Sequence, residues 1–262
     1  MQKIMKKHIA LSLITAGFGL LTLAGANAWS VATNVPATAI TSVPFVITVS
    51  GNYYLPTNLT DGVPGTPAIV IEASQVTLDL NGRTLSGAGP SAVQTGVEVL
   101  GQVDVIVQQG DIDNFHIGVF WVPSAATPLK NAKNLVENVR FNNNVIGVYS
   151  ESGTSNWVKQ CVIDGGDVGV LLNDDIGSRV SHSIFEEQQK TQAVGMGTAI
   201  VTMPSRGTLA DENLIAKATS PGAGTFGLIG SSVDKLRFDT FVNYPIMFPF
   251  VGAMDVGAVS EN

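Results

Sequence analysis

The sequence holds one cysteine, Cys161, so no disulfide can form within the chain even in an oxidising compartment. That cysteine reads as a small apolar core residue. Charge is also scarce, at 13% of 262 residues, and helix-length runs rich in Ala, Leu, Glu and Lys are few. Together with 28 glycines spread along the chain, this excludes an all-α protein, and a hydrophobic share of 45% excludes a disordered one. Basic residues are outnumbered, 14 against 21 acidic, which argues against nucleic acid and anionic membranes as partners. Beyond residue 28 no segment is apolar for 18 residues, so nothing there is expected to span a bilayer. What remains is a mostly β chain, long enough for one domain with a sizeable core.

The first 28 residues have the zones of a secretory signal peptide: Lys3, Lys6 and Lys7, an apolar stretch from Ile9 to Ala24, then Ala26-Asn27-Ala28. Cleavage after Ala28 would deliver a secreted or periplasmic product and leave 11 basic against 21 acidic side chains.

Internal repetition organises the rest. Glycine followed by a small or branched residue recurs at Gly96, Gly118, Gly147, Gly169, Gly197 and Gly227, with spacings of 22, 29, 22, 28 and 30. Six residues before the glycine stand Ile112, Phe141 and Ile163; eleven before stand Val107, Val136 and Val158. The same offset extends these columns to Leu80 with Leu85 and to Val180 with Phe185. A strand alternates its side chains, so each unit holds short strands separated by Gly, Asn or Asp corners, and none can bury its apolar face alone. Stacked as successive coils, the units share one interior. The pattern predicts a single-stranded right-handed parallel β-helix of about seven coils. An antiparallel sandwich would space its strands every 8 to 12 residues, and a Rossmann alternation would need amphipathic helices between strands. The expected organisation is a signal peptide at 1–28, an N-terminal cap and first strands at 29–67, the β-helix at 68–245 and a C-terminal cap or tail at 246–262. Prolines 36, 44, 56, 64 and 67 suit the opening cap, and Phe248, Pro249, Phe250 and Met254 suit an apolar plug. Insertions fall at 88–95, 123–131, 186–195 and 219–225, the last two being expected to form one wall of a groove.

Gly51-Asn52-Tyr53-Tyr54-Leu55, Asn58-Leu59-Thr60, Ala68-Ile69-Val70-Ile71 and the run from Val76 through Asn81-Gly82-Arg83 to Gly87 resemble the opening coils of bacterial right-handed β-helix proteins of the pectate-lyase-like superfamily. The likeness covers roughly residues 51 to 245. It implies a fold more than a chemistry, because that superfamily includes polysaccharide lyases, hydrolases, uronate epimerases, adhesins and proteins without known activity. Asn173-Asp174-Asp175 is similar to the paired aspartates of polygalacturonases, but the Gly-His-Gly and Arg-x-Lys elements are missing, as is the Asp-Pro-His-Glu element of alginate epimerases. No catalytic role is carried over.

Three sets of residues are candidates for function. Asp113, Asn142 and Asp164 stand at the turn five residues before the glycine, with Ser86 and Glu186 in the same column. Asn and Asp suit such corners structurally. As chemistry, Asp113 and Asp164 two coils apart, roughly 10 Å, with Arg140 between them, would suit a lyase, hydrolase or epimerase acting on a polyuronate, with Ca²⁺ if enzymatic and no other cofactor or resident metal implied. Two residues after the glycine, the outward column reads Glu98, Phe120, Tyr149, Leu171, Ala199 and Ile229. Phe120 and Tyr149 make an aromatic stripe suited to a sugar ring or a protein partner, unless the 123–131 insertion folds over it. His116 and His182 have no second ligand at metal-binding spacing and read as surface or turn residues. The first expectation is therefore capture of a polysaccharide or cell-surface glycan along one flank, with Phe120, Tyr149, Asn142 and Glu186 in contact. The alternatives are the enzyme just described and a structural, adhesin-like module.

Overall fold

The computed structural model describes residues 36–124, 131–186, 197–216, 226–229, 235–237, 239–242, 255–256 and 260–261. The chain divides into two compact units, Met1–Asn34 and Val35–Asn262. The expected signal peptide and the start of the expected cap lie outside the described residues, as do Phe248, Pro249, Phe250 and Met254.

The second unit is a parallel β-solenoid: every strand pairing among the described residues is parallel. Each turn contributes to three faces. In one turn these are Ile146–Glu151 on the first face, Trp157–Lys159 on the second and Val162–Asp164 on the third. The next turn repeats them as Val168–Asn173, Arg179–Ser181 and Ile184–Glu186. First-face strands form an 8-stranded sheet, and the other two faces form one 17-stranded sheet because Ile106–Asp113 and Leu135–Asn142 run through both. Six turns between Ile69 and Ala216 are described in full, slightly fewer than the seven expected. Strands Phe45–Ile47, Gly51–Tyr54 and Leu59–Thr60 already stack beneath them. In the tail, Asp255–Val256 and Ser260–Glu261 add further rungs to the second and third faces.

The inward file is the one expected: Val97, Val119, Val148 and Val170 pair in register, continue to Ile200, and are buried. Ile112, Phe141, Ile163 and Phe185 form a second file, and Val107, Val136, Val158 and Val180 a third. Burying such files continuously is the main apolar gain of the fold.

The glycine column has a steric cause. None of Gly96, Gly118, Gly147 and Gly169 has positive φ. A Cβ on Gly118 would instead lie 2.6 Å from the Gly147 carbonyl oxygen and 2.7 Å from Cδ1 of Phe141. On Gly96, Gly147 and Gly169 it would lie 2.6, 2.6 and 2.5 Å from the carbonyl of the following turn.

Two sequence alignments are corrected by the register. Gly169 stands opposite Ala199, because Val168 pairs with Thr198 and Val170 with Ile200. Gly197 is a turn residue at φ 60°, which is why a glycine stands there for a different reason. The outward residue of that turn is accordingly Val201, while Ala199 is buried on the inner side. Likewise Leu78, not Leu80, pairs with Val107, since the Asn81-Gly82 turn takes two extra residues. Leu80 is still buried, packed over the place where Gly110 lacks a side chain.

Polar ladders close the corners. Between the first and second faces, Asn134 Oδ1 accepts the Val105 N–H at 3.0 Å, Asn156 Oδ1 the Asn134 N–H at 2.9 Å and Ser178 Oγ the Asn156 N–H at 3.1 Å. Between the second and third, Ser183 Oγ accepts from Cys161 N–H, Asn213 Oδ1 from Ser183 N–H and Asp239 Oδ1 from Asn213 N–H at 2.7 Å. Each bond satisfies a buried amide that the strand ladder leaves behind. Cys161 is buried as expected, and burial pushes its thiol up to about 12. Burial likewise pushes the Asp239 carboxyl up to about 7 from 3.8.

Gly118→Val should lower unfolding stability by about 3 kcal/mol through overpacking, read as a fall in denaturant midpoint, whereas Val46→Thr on the exposed side should change little. The folded chain holds the Asp239 proton more tightly than the unfolded chain, so stability should fall as pH rises from about 4 to about 7 and level off above. Asp239→Asn should flatten that slope, leaving stability at pH 4 unchanged and raising it above pH 7. Chemical denaturation across the pH range checks both arms.

Candidate functional site

Three surfaces of the solenoid carry polar or aromatic side chains in register. The first lies where the third face ends. Ser86, Asp113, Asn142, Asp164 and Glu186 each close a third-face strand and pair rung to rung. The candidate residues at this edge therefore do fall in one file. A second outward file runs beside it: Thr84, Asp111, Arg140, Val162 and Ile184. Alternation along the strand puts both files on the solvent side, two residues apart.

Arg140 sits among these carboxylates. Its Nη2 is 3.9 Å from Asp164 Oδ2, with side-chain exposures of 57% and 29%. A contact that long between exposed groups contributes little to stability, leaving most guanidinium donors facing solvent. Asp113 is half-buried; burial and then the neighbouring Asp111 charge raise its carboxyl above the ordinary range, and Arg140 partly offsets them. Just past the edge, Asn143 Nδ2 donates to Asn114 Oδ1 at 2.7 Å, with both residues at positive φ. The residue types at these corners thus serve the turn as well as the surface. The insertions at 186–195 and 219–225, expected to wall a groove here, lie outside the described residues apart from Glu186.

The second surface is the outer side of the first face. Glu98, Phe120, Tyr149, Leu171 and Val201 stand in one file. Thr95, Ile117, Ile146 and Val168 form the file next to it. The Phe120 and Tyr149 rings stack with centroids 4.7 Å apart and planes 10° apart. Each ring therefore gives one face to the other. A sugar cannot lie flat across both, contrary to the simplest use of an aromatic stripe, and only the outer faces and edges remain for a ligand. The Tyr149 hydroxyl accepts from Asn173 Nδ2 at 3.4 Å. Val201 is only 2% exposed despite its outward position. Residues 125–130 of the insertion that could overlie the stripe are outside the described residues. Phe120 and Tyr149 belong to a different sheet from Asp113, Arg140 and Asp164, so the candidate residues form two surfaces meeting at a corner, not one cleft.

Sequence reasoning overlooked the third surface, on the second face. Trp157 donates its indole N–H to Ser181 Oγ at 2.8 Å, and two cations approach its ring, Lys159 at 4.9 Å from the centroid and Arg179 at 5.1 Å. Lys159 pairs with Glu137 at 2.6 Å, and Arg179 pairs with the buried Asp211 carboxylate. Val136, Val158 and Val180 were readable as an inward column, so the residues on either side of each had to face out. That alternation was the signal for Trp157, Lys159 and Arg179.

His116 and His182 lie at bends or turns of the chain. His182 is an exposed turn residue at φ 53°, 2.5 Å from Glu212, and His116 Nδ1 is 3.2 Å from the Pro90 carbonyl. The two aspartates after Asn173 are divided by the fold: Asp174 is exposed, whereas Asp175 is buried and its Oδ1 accepts from Ser150 and from the Gly153 N–H. They cannot act as a surface pair. Among the described residues no three His, Cys, Asp or Glu side chains gather to hold a metal ion, and no helix is long and apolar enough to cross a membrane.

If the Phe120–Tyr149 stack is a stabilising contact, a double-mutant cycle of Phe120→Leu and Tyr149→Leu should return a coupling of about 0.5–1.5 kcal/mol. Urea unfolding of the four proteins measures it; additive losses would show two independent side chains.

No protein-family model matches the chain, and no curated protein sequence matches it. Among solved structures the chain is similar to tailspike proteins of E. coli bacteriophage HK620 in complex with a pentasaccharide. One such variant shares 10% identity over 85% of this chain and 56% of its own, with a TM-score of 0.37. Another shares 11% over 86% and 50%, with a TM-score of 0.34. The chain thus spans about half the length of the structures it matches.

Proposed function

We propose that the protein is exported to the periplasm or beyond and there binds a neutral, hydroxyl-rich polysaccharide along the edge of the third face. The observation that carries this reading is the register of Asp113, Asn142 and Asp164 on successive rungs with the exposed Arg140 set among them. Carboxylates accept from sugar hydroxyls, and the guanidinium and amide donate to them. Val162 and Ile184, in the adjoining file, offer apolar surface to the C–H side of a sugar ring. The strands fix these groups before the ligand arrives, so little ordering is needed on binding. With Asp111, Asp113 and Asp164 around one arginine, the edge is net negative, which favours a neutral polymer over a polyuronate.

Turnover of the same polymer is the second reading, favoured by one observation: the Asp113 carboxyl is pushed up by its surroundings, as a general acid requires. Asp164, two rungs away, would then act on the opposite side of the glycosidic bond.

Affinity electrophoresis through gels containing dextran, xyloglucan or polygalacturonate tests the binding. At least one neutral polymer should retard the chain, polygalacturonate should retard it less, and Arg140→Ala combined with Asp164→Asn should weaken retention roughly tenfold per charged hydrogen bond lost. Equal retention of that double variant, or passage through both neutral gels without retardation, would exclude the edge as the binding site. New reducing ends that vanish in Asp113→Asn would promote capture to catalysis.

A further inference from the structure

The opening rungs of the second face carry a polar pocket of about 480 Å³, whose lining includes no residue of the third-face edge, the Phe120–Tyr149 stack or the Trp157 cluster. Its floor is two adjacent outward files. Asn52 pairs with Thr77, and two residues further along the same strands Tyr54 pairs with Asp79, which pairs with Gln108 on the next rung. Ala37, Tyr53 and Asn81 complete its lining. Beyond these rungs the first file turns apolar, at Ile106 and Leu135, so the polar character is confined to the pocket.

The pocket is held in shape by its own hydrogen bonds. Asp79 Oδ1 accepts the Asn81 N–H at 2.6 Å and Oδ2 accepts from Gln108 Nε2 at 3.2 Å, while Asn81 Nδ2 donates to the Leu55 carbonyl at 3.1 Å. These bonds fix the carboxylate and turn the Gln108 carbonyl oxygen into an acceptor of known position. Among the described residues no hydrogen bond uses the side chains of Asn52, Thr77 or the Tyr54 hydroxyl.

We infer that this pocket is a second binding site, for one or two rings of a neutral saccharide. The volume is within the range of small-ligand pockets. The lining holds no Lys, Arg or His, and its one charge is negative, so phosphorylated and carboxylated ligands are repelled. Both carboxylate oxygens of Asp79 already accept hydrogen bonds, which weakens its pull on a cation. The groups left over are an amide, two hydroxyls and an amide carbonyl, mixed donors and acceptors of the kind that sugar hydroxyls match, and the Tyr54 ring supplies an aromatic surface. The inference does not rest on the edge of the third face, which lies on a different part of the solenoid.

Saturation-transfer NMR on the full chain with cellobiose, maltose, lactose and N,N′-diacetylchitobiose at millimolar concentration tests it, with digalacturonate and putrescine as anionic and cationic probes. At least one neutral disaccharide should receive saturation. Asn52→Ala and Tyr54→Ala should each weaken its binding at least tenfold while thermal unfolding shows both variants folded; Thr77→Ala, which removes one hydroxyl, serves if Tyr54→Ala does not fold. Arg140→Ala with Asp164→Asn should leave this binding unchanged, so failure of the edge and failure of the pocket read out separately. The inference is overturned if no neutral disaccharide binds, if digalacturonate or putrescine binds better than all four, or if binding survives the folded pocket variants, whether or not the edge variant loses it.

Discussion

The fold depends on how closely one turn can approach the next at the corner leading into the first face. Gly96, Gly118, Gly147 and Gly169 each leave room for a carbonyl oxygen of the following turn, and aromatic or branched side chains fill the remaining space from the third face. The glycine lets Ile112, Phe141, Ile163 and Phe185 press against the backbone without a methyl group between them. Strand spacing, the inward valine file and the outward ladders follow from that approach, because a turn lifted off its neighbour would lose its parallel hydrogen bonds on all three faces at once. The glycine column ends at Ala199, whose carbonyl oxygen fills the gap that Gly169 leaves and whose methyl group is buried.

The second requirement is electrical rather than steric. Corners interrupt the strand ladder, and their inward amides need acceptors inside a core that otherwise offers none. Asn134, Asn156 and Ser178 on one corner and Ser183, Asn213 and Asp239 on another meet this need by bonding to the backbone of the preceding turn. At Asp239 an acid does a job that an amide does elsewhere, and its raised pKa is the result. Thus the chain has two populations of acidic residue: those spent on internal wiring, such as Asp175, Asp211 and Asp239, and those displayed at the edge, such as Asp111, Asp113 and Asp164.

Much of this was legible in the sequence, because solenoid geometry converts a period directly into a neighbour relation. A spacing of 22 residues places Val148 beside Val170 and Asn142 beside Asp164, and the structure has both pairs. Reading failed where one residue type serves two purposes. Gly197 was aligned with the steric glycines although it is there for its backbone angle, and Leu80 was preferred to Leu78 because a wider turn follows. The Trp157 cluster escaped notice for another reason: its residues differ in type from rung to rung, so nothing repeats except the distance between them. The edge around Arg140 was readable as a file, while the angle of the Phe120 and Tyr149 rings belongs to side-chain packing, which periodicity does not encode.

Among the described residues of the solenoid every turn pairs only with the turns before and after it, so its cohesion is distributed like that of a stack of coins. Such a stack has no centre whose loss brings down the whole. It erodes from whichever terminus is less well secured, and a fracture in the middle leaves two shorter stacks, each with the same internal contacts as before.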